Sequence, residues 1–241
     1  MKISIVIPAF NEERLNGQTL SQVKASANSL TKRGWETELI VCDNNSTDCT
    51  ADLARAAGAT VVREPVNQIA RARNTGAAAA TGDWLIFIDA DSHPTPELFD
   101  EVADQISAGR CLAGGCTVIL DAHHPIAGLI VGLWNTISRV GKLVAGSFIF
   151  CEAAAFRKIG GFSNELFAGE EIELSNRLKR LARQTGKKIV ILHRHPLVTS
   201  SRKMHIYSRR EHLLFLLKTV FGGFNTLNRR ESCHTWYDGR R

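Results

Sequence analysis

Asp89-Ala90-Asp91 closes the apolar run Trp84-Leu85-Ile86-Phe87-Ile88. A buried strand that ends in two acids one residue apart delivers both carboxylates to the rim of a sheet. Side chains alternate with period two along a strand, so Asp89 and Asp91 share a face if strand pairing continues through them. Converging carboxylates repel unless a cation sits between them, and hard oxygen donors select Mg²⁺ or Mn²⁺. Such an ion keeps positions open for phosphate oxygens, which is the chemistry of a nucleoside-diphosphate site. Asp-x-Asp also caps turns and helices, so its companions decide between the two readings.

Five other segments carry groups suited to the same chemistry. Pro8-Ala9-Phe10-Asn11-Glu12-Glu13 follows an apolar strand and offers an aromatic face and a carboxylate to a base and ribose, the rival reading being a plain strand-to-helix turn. In Asp43-Asn44-Asn45-Ser46-Thr47-Asp48, helix capping accounts for Ser46 and Asp48 but leaves Asp43 to accept from a base N–H. Arg71 and Arg73 stand early in an alanine-rich helix, where they oppose the dipole unless an anion is near; solvated surface arginines are the alternative. Glu170-Glu171 follow a glycine-flanked loop, Gly160 to Gly169. Acids at a helix N-terminus suit the dipole whatever their task, yet this is also how a general base reaches a cleft. His193 and His195 at a strand exit are candidate nitrogen ligands for the metal, or structural histidines.

The elements that position these groups alternate between strand and helix. Strands are expected at Lys2–Ile7, Thr37–Cys42, Thr60–Arg63, Trp84–Asp89, Gly114–Leu120, Ser147–Cys151 and Lys188–Leu192. Helices are expected over Leu15–Lys32, from Ala51 to a stop at Gly58, Ile69–Ala80, from Thr95-Pro96-Glu97 to Gly109, and Glu170–Gln184. Pro125 to Val144 is apolar but broken by glycines. This alternation predicts an α/β fold with a mostly parallel central sheet flanked by helices, in one domain.

The 241 residues suffice for a substantial single core. A formal net charge of +6 suits an anionic partner, whereas dispersed basic residues and 7% aromatics argue against nucleic acid. The six cysteines lack paired spacing and read as reduced core residues of a cytoplasmic protein, with no signal peptide ahead of the first strand. No stretch is long enough to span a bilayer. Pro125–Val144 and His212–Phe224, with Arg209, Arg210 and Lys218 nearby, suggest peripheral contact with the inner face of a membrane; packed core or a homodimer interface explains them equally well.

In this order the motifs resemble a family 2 glycosyltransferase with the GT-A fold. The resemblance rests on Val6 to Glu13, Asp43 to Asp48, Ala72-Arg73-Asn74-Thr75-Gly76, Asp89-Ala90-Asp91, Gly160-Gly161-Phe162 and Gly169-Glu170-Glu171, and covers Lys2 to Leu192. It implies a nucleotide-sugar half over about residues 1–120 and an acceptor half over about 121–241. By resemblance, Pro8, Ala9, Phe10 and Glu12 line the base and ribose pocket, Asp43 contacts the base, and Arg71 and Arg73 approach the nucleotide. Asp89, Ala90 and Asp91 hold ribose and the Mn²⁺ or Mg²⁺, with His193 or His195 as a further ligand. The second acid of Glu170-Glu171 matches the general base that would activate a hydroxyl acceptor, a lipid-linked one among the candidates, for inverting single displacement from a UDP- or GDP-sugar. Arg202 would grip a phosphate.

This chain departs from the family pattern in two places. Asp43-Asn44-Asn45-Ser46 stands where many relatives carry Asp-Asp-Gly-Ser, and Glu171 where the base is usually Asp, so Glu170 and Glu171 both stay candidates. The Gln-x-x-Arg-Trp signature of processive synthases is absent, which favours single transfer. The alternatives are a catalytically silent nucleotide-sugar-binding protein of the same fold and a nucleotidyltransferase; the latter would normally have a glycine- and arginine-rich phosphate loop near the N-terminus, which this chain lacks.

Overall fold

The structure is a computed structural model and describes residues 1–14, 16–122 and 125–202. In chain order the elements are β1 (Lys2–Ala9), α1 (Asn16–Lys32), β2 (Glu36–Asp43), α2 (Thr50–Ala56), β3 (Thr60–Arg63), α3 (Ile69–Ala79), β4 (Trp84–Ile88), β5 (Ser92–His93), α4 (Pro96–Ser107), β6 (Cys111–Leu120), α5 (Pro125–Gly141), β7 (Phe148–Glu152), α6 (Ala153–Lys158), α7 (Glu170–Gln184) and β8 (Lys188–Thr199). The strands form one sheet in the order β3-β2-β1-β4-β7-β6-β8-β5. β3, β2, β1 and β4 are mutually parallel, β7 runs antiparallel between β4 and β6, and β6 is parallel to β8.

Two apolar layers cover the sheet. Ile3, Ile5 and Ile7 of β1 face Leu20, Val23 and Leu30 of α1 and Phe99 and Val102 of α4. Val6, on the other face, joins Phe87, Phe156, Phe162, Leu174 and Leu178. This is the period-two division that a strand buried on both faces requires. The chain leaves β1 to build β2 and β3 on one side, then returns to place β4 on the other. Strand order therefore reverses between β1 and β4, and the rim at their carboxyl ends is the crevice where open α/β sheets bind ligands.

α3 lies on β1 and β2 through small residues, with Ala70, Ala72, Gly76 and Ala77 all buried. A Cβ on Gly76 would stand 2.4 Å from Val6 Cγ1. Gly76→Ala should therefore destabilise the fold by about 1–3 kcal/mol through overpacking, despite the better helix propensity of alanine. A fall in the urea midpoint at unchanged slope would show it, and an unchanged midpoint would refute the close approach.

Several expectations are corrected here. Pro8 does not end β1, which pairs with β2 as far as Ala9↔Asp43; its pairing with β4 stops at Val6, so the proline sits where one side of the strand is already free. β4 ends at Ile88 rather than Asp89, since Ala90 and Asp91 form a turn closed by Ser92 N–H on the Asp89 carbonyl at 3.1 Å. Pro125 to Gly141 is a continuous helix. β8 runs to Thr199 instead of Leu192, and α6 and β5 were not foreseen. Cys42, Cys111, Cys116 and Cys151 are buried free thiols, whereas Cys49 is exposed; Cys233 lies outside the described residues.

Candidate active site at the sheet rim

Arg73 organises the site. It projects from the second turn of α3 and is 1% exposed, so its charge must be met inside the protein. Nη2 donates to Asp89 Oδ1 at 2.9 Å and to the Gly146 carbonyl at 2.9 Å, and Nη1 donates to Glu170 Oε1 at 2.6 Å. The guanidinium also lies 5.2 Å from the Phe162 ring centroid. Burial opposes its charge, but the carboxylates of Asp89, Glu170 and Glu171 hold its pKa above the usual arginine value. Surface solvation, the duller reading of this arginine, does not survive that geometry. Arg71 is half-buried and its Nε donates to Gln68 Oε1 at 3.0 Å.

Glu170 and Glu171 open α7 behind Gly169, whose φ of 74° turns the loop into the helix. Ile69, Arg73, Asp89, Gly146, Ser147, Phe167, Ala168, Gly169, Glu170 and Glu171 line one cleft of about 200 Å³. The two acids have different surroundings. Glu170 is buried against Arg73. Burial first, then the charge of Glu170, pushes Glu171 up to about 8, with Arg73 pulling the other way. Glu171 is thus largely protonated at neutral pH, and the sequence offered no sign of which acid would carry this shift.

Asp91 is 9% exposed. Its ion partner among the described residues is Arg202 Nη2 at 3.9 Å. Arg202 also grips Glu12 through two hydrogen bonds of 3.0 and 2.9 Å, and burial notwithstanding, Glu12 and Asp91 raise its pKa. Arg202, Glu12 and Asp91 therefore stand together at the rim, although 190 residues separate the first two in sequence.

The diacid does not form a same-face pair by strand alternation, because the strand has ended and Asp89 is turned to Arg73. Asp43 was singled out as unexplained by capping. In the structure its Oδ1 accepts from Ser46 N–H at 3.2 Å, so part of its carboxylate shapes the loop. Ser46 and Asp48 do not cap α2, whose N-cap is Cys49 without a side-chain bond. Ser46 accepts from Asn11 N–H and Asp48 from Thr50 N–H. Pro8 and Ala9 sit in β1 beside Cys42 and Asp43, Phe10 is half-buried just beyond, and the Ala90 carbonyl accepts from Thr19.

His193 and His195 are not brought to the diacid. His195 Nδ1 faces Glu101 of α4 at 3.6 Å, and His193 lines a hollow with Glu101, Asp104, Gln105 and Lys142. His195 lies four positions before Thr199, the register partner of Ser92, which is roughly 13 Å of strand. Lys203, Arg209, Arg210, Lys218 and the segment His212–Phe224 lie outside the described residues.

Sequence reasoning passed over the amides that knit the loops. Gln68 is 2% exposed; its Nε2 donates to the carbonyls of Asn164 and Leu166, and its N–H to Asn44 Oδ1. Asn74 donates to the Phe162 carbonyl and accepts from Phe162 N–H, both at 2.9 Å. Asn11 Oδ1 accepts from Thr47 N–H at 2.8 Å. The available signal was amide side chains in loops or at a helix start, positions where side-chain-to-backbone bonds compete best.

Comparison with known proteins completes the picture. The sequence profile described as Glycosyl transferase family 2 matches residues 4–156. A glycosyltransferase of Mycobacterium tuberculosis is 32% identical over 142 residues, 59% of this chain and 56% of that protein. The chain thus spans about half the length of the curated relatives it matches in this way. Among solved structures, the mannosyltransferase PcManGT of Pyrobaculum calidifontis, in complex with GDP-Man and Mn²⁺, superposes with a TM-score of 0.66 at 17% identity, over 96% of this chain and 64% of that one. Glucosyl-3-phosphoglycerate synthase of M. tuberculosis, in complex with Mn²⁺, UDP-glucose and phosphoglyceric acid, superposes with a TM-score of 0.63 at 20% identity, over 97% and 80%. These likenesses show the GT-A fold, and the profile match over most of the chain shows that it belongs to glycosyl transferase family 2.

Proposed function

We propose that the protein transfers a sugar from a UDP- or GDP-sugar to a hydroxyl acceptor by a single displacement that inverts the anomeric centre. The carrying observation is the Arg73 bridge, which fixes Asp89 of the nucleotide side and Glu170 of the acceptor side at one cleft with Glu171. The two solved relatives described above, one bound to GDP-Man and one to UDP-glucose, both with Mn²⁺, support that donor class.

The residues fit a divalent cation. Asp91 is a buried hard-oxygen donor whose only recorded ion partner among the described residues stands 3.9 Å away. Asp91, with Asp89 beside it in sequence, would hold Mn²⁺ or Mg²⁺, which when bound would neutralise charge on the departing diphosphate. The chain's own groups do the rest. Phe10, Glu12 and Asp43 bound the base and ribose side, with Pro8 and Ala9 fixing that loop to β1. Arg202 has a guanidinium fork suited to a phosphate once Glu12 releases it. Glu171, deprotonated, takes the acceptor's proton as its oxygen attacks. Glu170 keeps Arg73 in place, and Arg73 keeps Asp89 oriented. The first 120 residues thus serve the nucleotide and the later ones supply the base and acceptor side.

Calorimetric titration of UDP and of GDP, each with and without Mn²⁺, tests this reading. One nucleotide should bind in a metal-dependent way, and Asp91→Asn should weaken it by about tenfold or more. Failure of both nucleotides to bind would overturn the proposal.

A further inference from the structure

We infer that the outer face of α5 docks on an anionic lipid bilayer. The inner face of the helix is built for the protein: Ala127 and Ser138 are buried, Val131 and Trp134 pack on the core, and Asn135 makes two hydrogen bonds to the Val118 backbone. The outer face is apolar as well. Leu129, Ile130, Leu133, Ile137 and Val140 are 76%, 59%, 62%, 46% and 81% exposed. At 100° per residue these five fall within one arc of about 100°, opposite the packed residues. They are most of the large exposed hydrophobic residues among those described, which makes this a patch and not scatter.

Charge names the partner. α5 carries no acidic residue, and its last turn holds Arg139. Arg139, Lys142 and His193 line a hollow of about 430 Å³ with Thr136, Val140 and Ile191, directly beside the apolar arc. Of the acids lining the adjoining hollow, Asp104 is met by Arg33 at 2.7 Å, and Glu101 has Arg194 at 3.9 Å and His195 at 3.6 Å. An apolar strip beside Arg139 and Lys142, which have no acid partner among the described residues, matches acyl chains beside phosphate headgroups, the arrangement of an interfacial helix. No helix among the described residues is long and apolar enough to cross a membrane, so α5 lies on the surface of the bilayer. Five residues after α5 ends, the Gly146 carbonyl accepts from Arg73, so a docked bilayer borders the cleft. A lipid-borne acceptor then follows, an extension that rests on the proposed transfer; the docking itself does not.

Flotation of the full chain with vesicles tests the inference. Vesicles of phosphatidylcholine and phosphatidylglycerol at about 3:1 should carry the protein, those of phosphatidylcholine alone should carry far less, and added salt should reduce the binding. Leu133→Ser with Ile137→Ser and Val140→Ser should cut binding at least about tenfold, and Arg139→Glu with Lys142→Glu likewise, with UDP or GDP titration unchanged. Absence of flotation with the anionic vesicles overturns the inference, as does equal binding by the triple serine variant. A dimer that the serine variant dissociates, without vesicle binding, assigns the face to a second copy. Slow amide exchange of α5 in the protein alone, again without vesicle binding, assigns it to residues 203–241.

Discussion

Arg73→Ala should destabilise the protein by about 3–5 kcal/mol and abolish transfer, the largest effect of any single substitution outside the apolar core. The reason is the company the guanidinium keeps. Removing it leaves Glu170, 4% exposed, without its 2.6 Å partner and releases Asp89. It also opens the Gly146 carbonyl and the contact with Phe162. Two carboxylates are then left beside the space the guanidinium filled, with no cation between them. Because the pair is buried, added salt should rescue little. Arg73→Lys separates charge from geometry: an ammonium can meet one carboxylate but cannot fork to both, so it should fold, recover part of the loss, and still transfer poorly. Urea unfolding of both variants reads the stability, and an Arg73→Ala midpoint equal to that of the parent would remove Arg73 from its central place.

Much of this fold could be read from sequence because its elements obey local rules. Ile3, Ile5 and Ile7 alternate, Thr95-Pro96-Glu97 start α4 with Thr95 accepting from Leu98 N–H, and Gly34, Gly58 and Gly109 end helices with φ near 70°. The failures arise where tertiary contacts overrule such rules. Gly128 and Gly132 made α5 look broken, yet both face open space where a Cβ would meet nothing, and packing of the opposite face offsets their low propensity. His193-Arg194-His195-Pro196 made β8 look finished. Instead the register with β6 steps from Cys116↔Leu192 to Val118↔Leu197, so the polar stretch and its proline bulge out and the strand resumes.

The site divides in the same way. The residue types on the rim were legible, since strand exits and glycine turns mark them. Their pairings were not. Arg73 meets Glu170 across 97 positions and Arg202 meets Glu12 across 190, and no local pattern encodes such partners. The period-two argument for Asp89 and Asp91 failed because it needed the strand to run on through residues 89–91, whereas β4 ends at Ile88. The histidines were misplaced for a related reason, as a strand exit was assumed at Leu192 where a longer strand only bulges.

Glu171→Gln should lower kcat by about 10²–10⁴ while leaving nucleotide affinity unchanged, and it should also make the protein more stable at alkaline pH. The two effects share a cause. A carboxyl pushed from 4.5 to about 8 is held protonated by the fold, so the folded state binds a proton that the unfolded chain has released between those values. The stability contributed by this group is fully present below about 4.5 and is lost as pH rises through about 8. Glutamine keeps the shape of the protonated acid and cannot ionise. Its advantage should be nil in acid, grow by on the order of 1 kcal/mol per pH unit above about 4.5 and level off near pH 9, at several degrees or more in Tm. Glu170→Gln should do the reverse and destabilise the protein, because it weakens the partner of a buried arginine. For catalysis the base must be ionised, so kcat/KM of the parent should rise with unit slope below about 8 and level above it. Melting curves of both variants across pH, with the rate profile of the parent, separate the two acids. A Glu171→Gln protein that melts with the parent at alkaline pH and turns over normally would return the role of base to Glu170 or to neither.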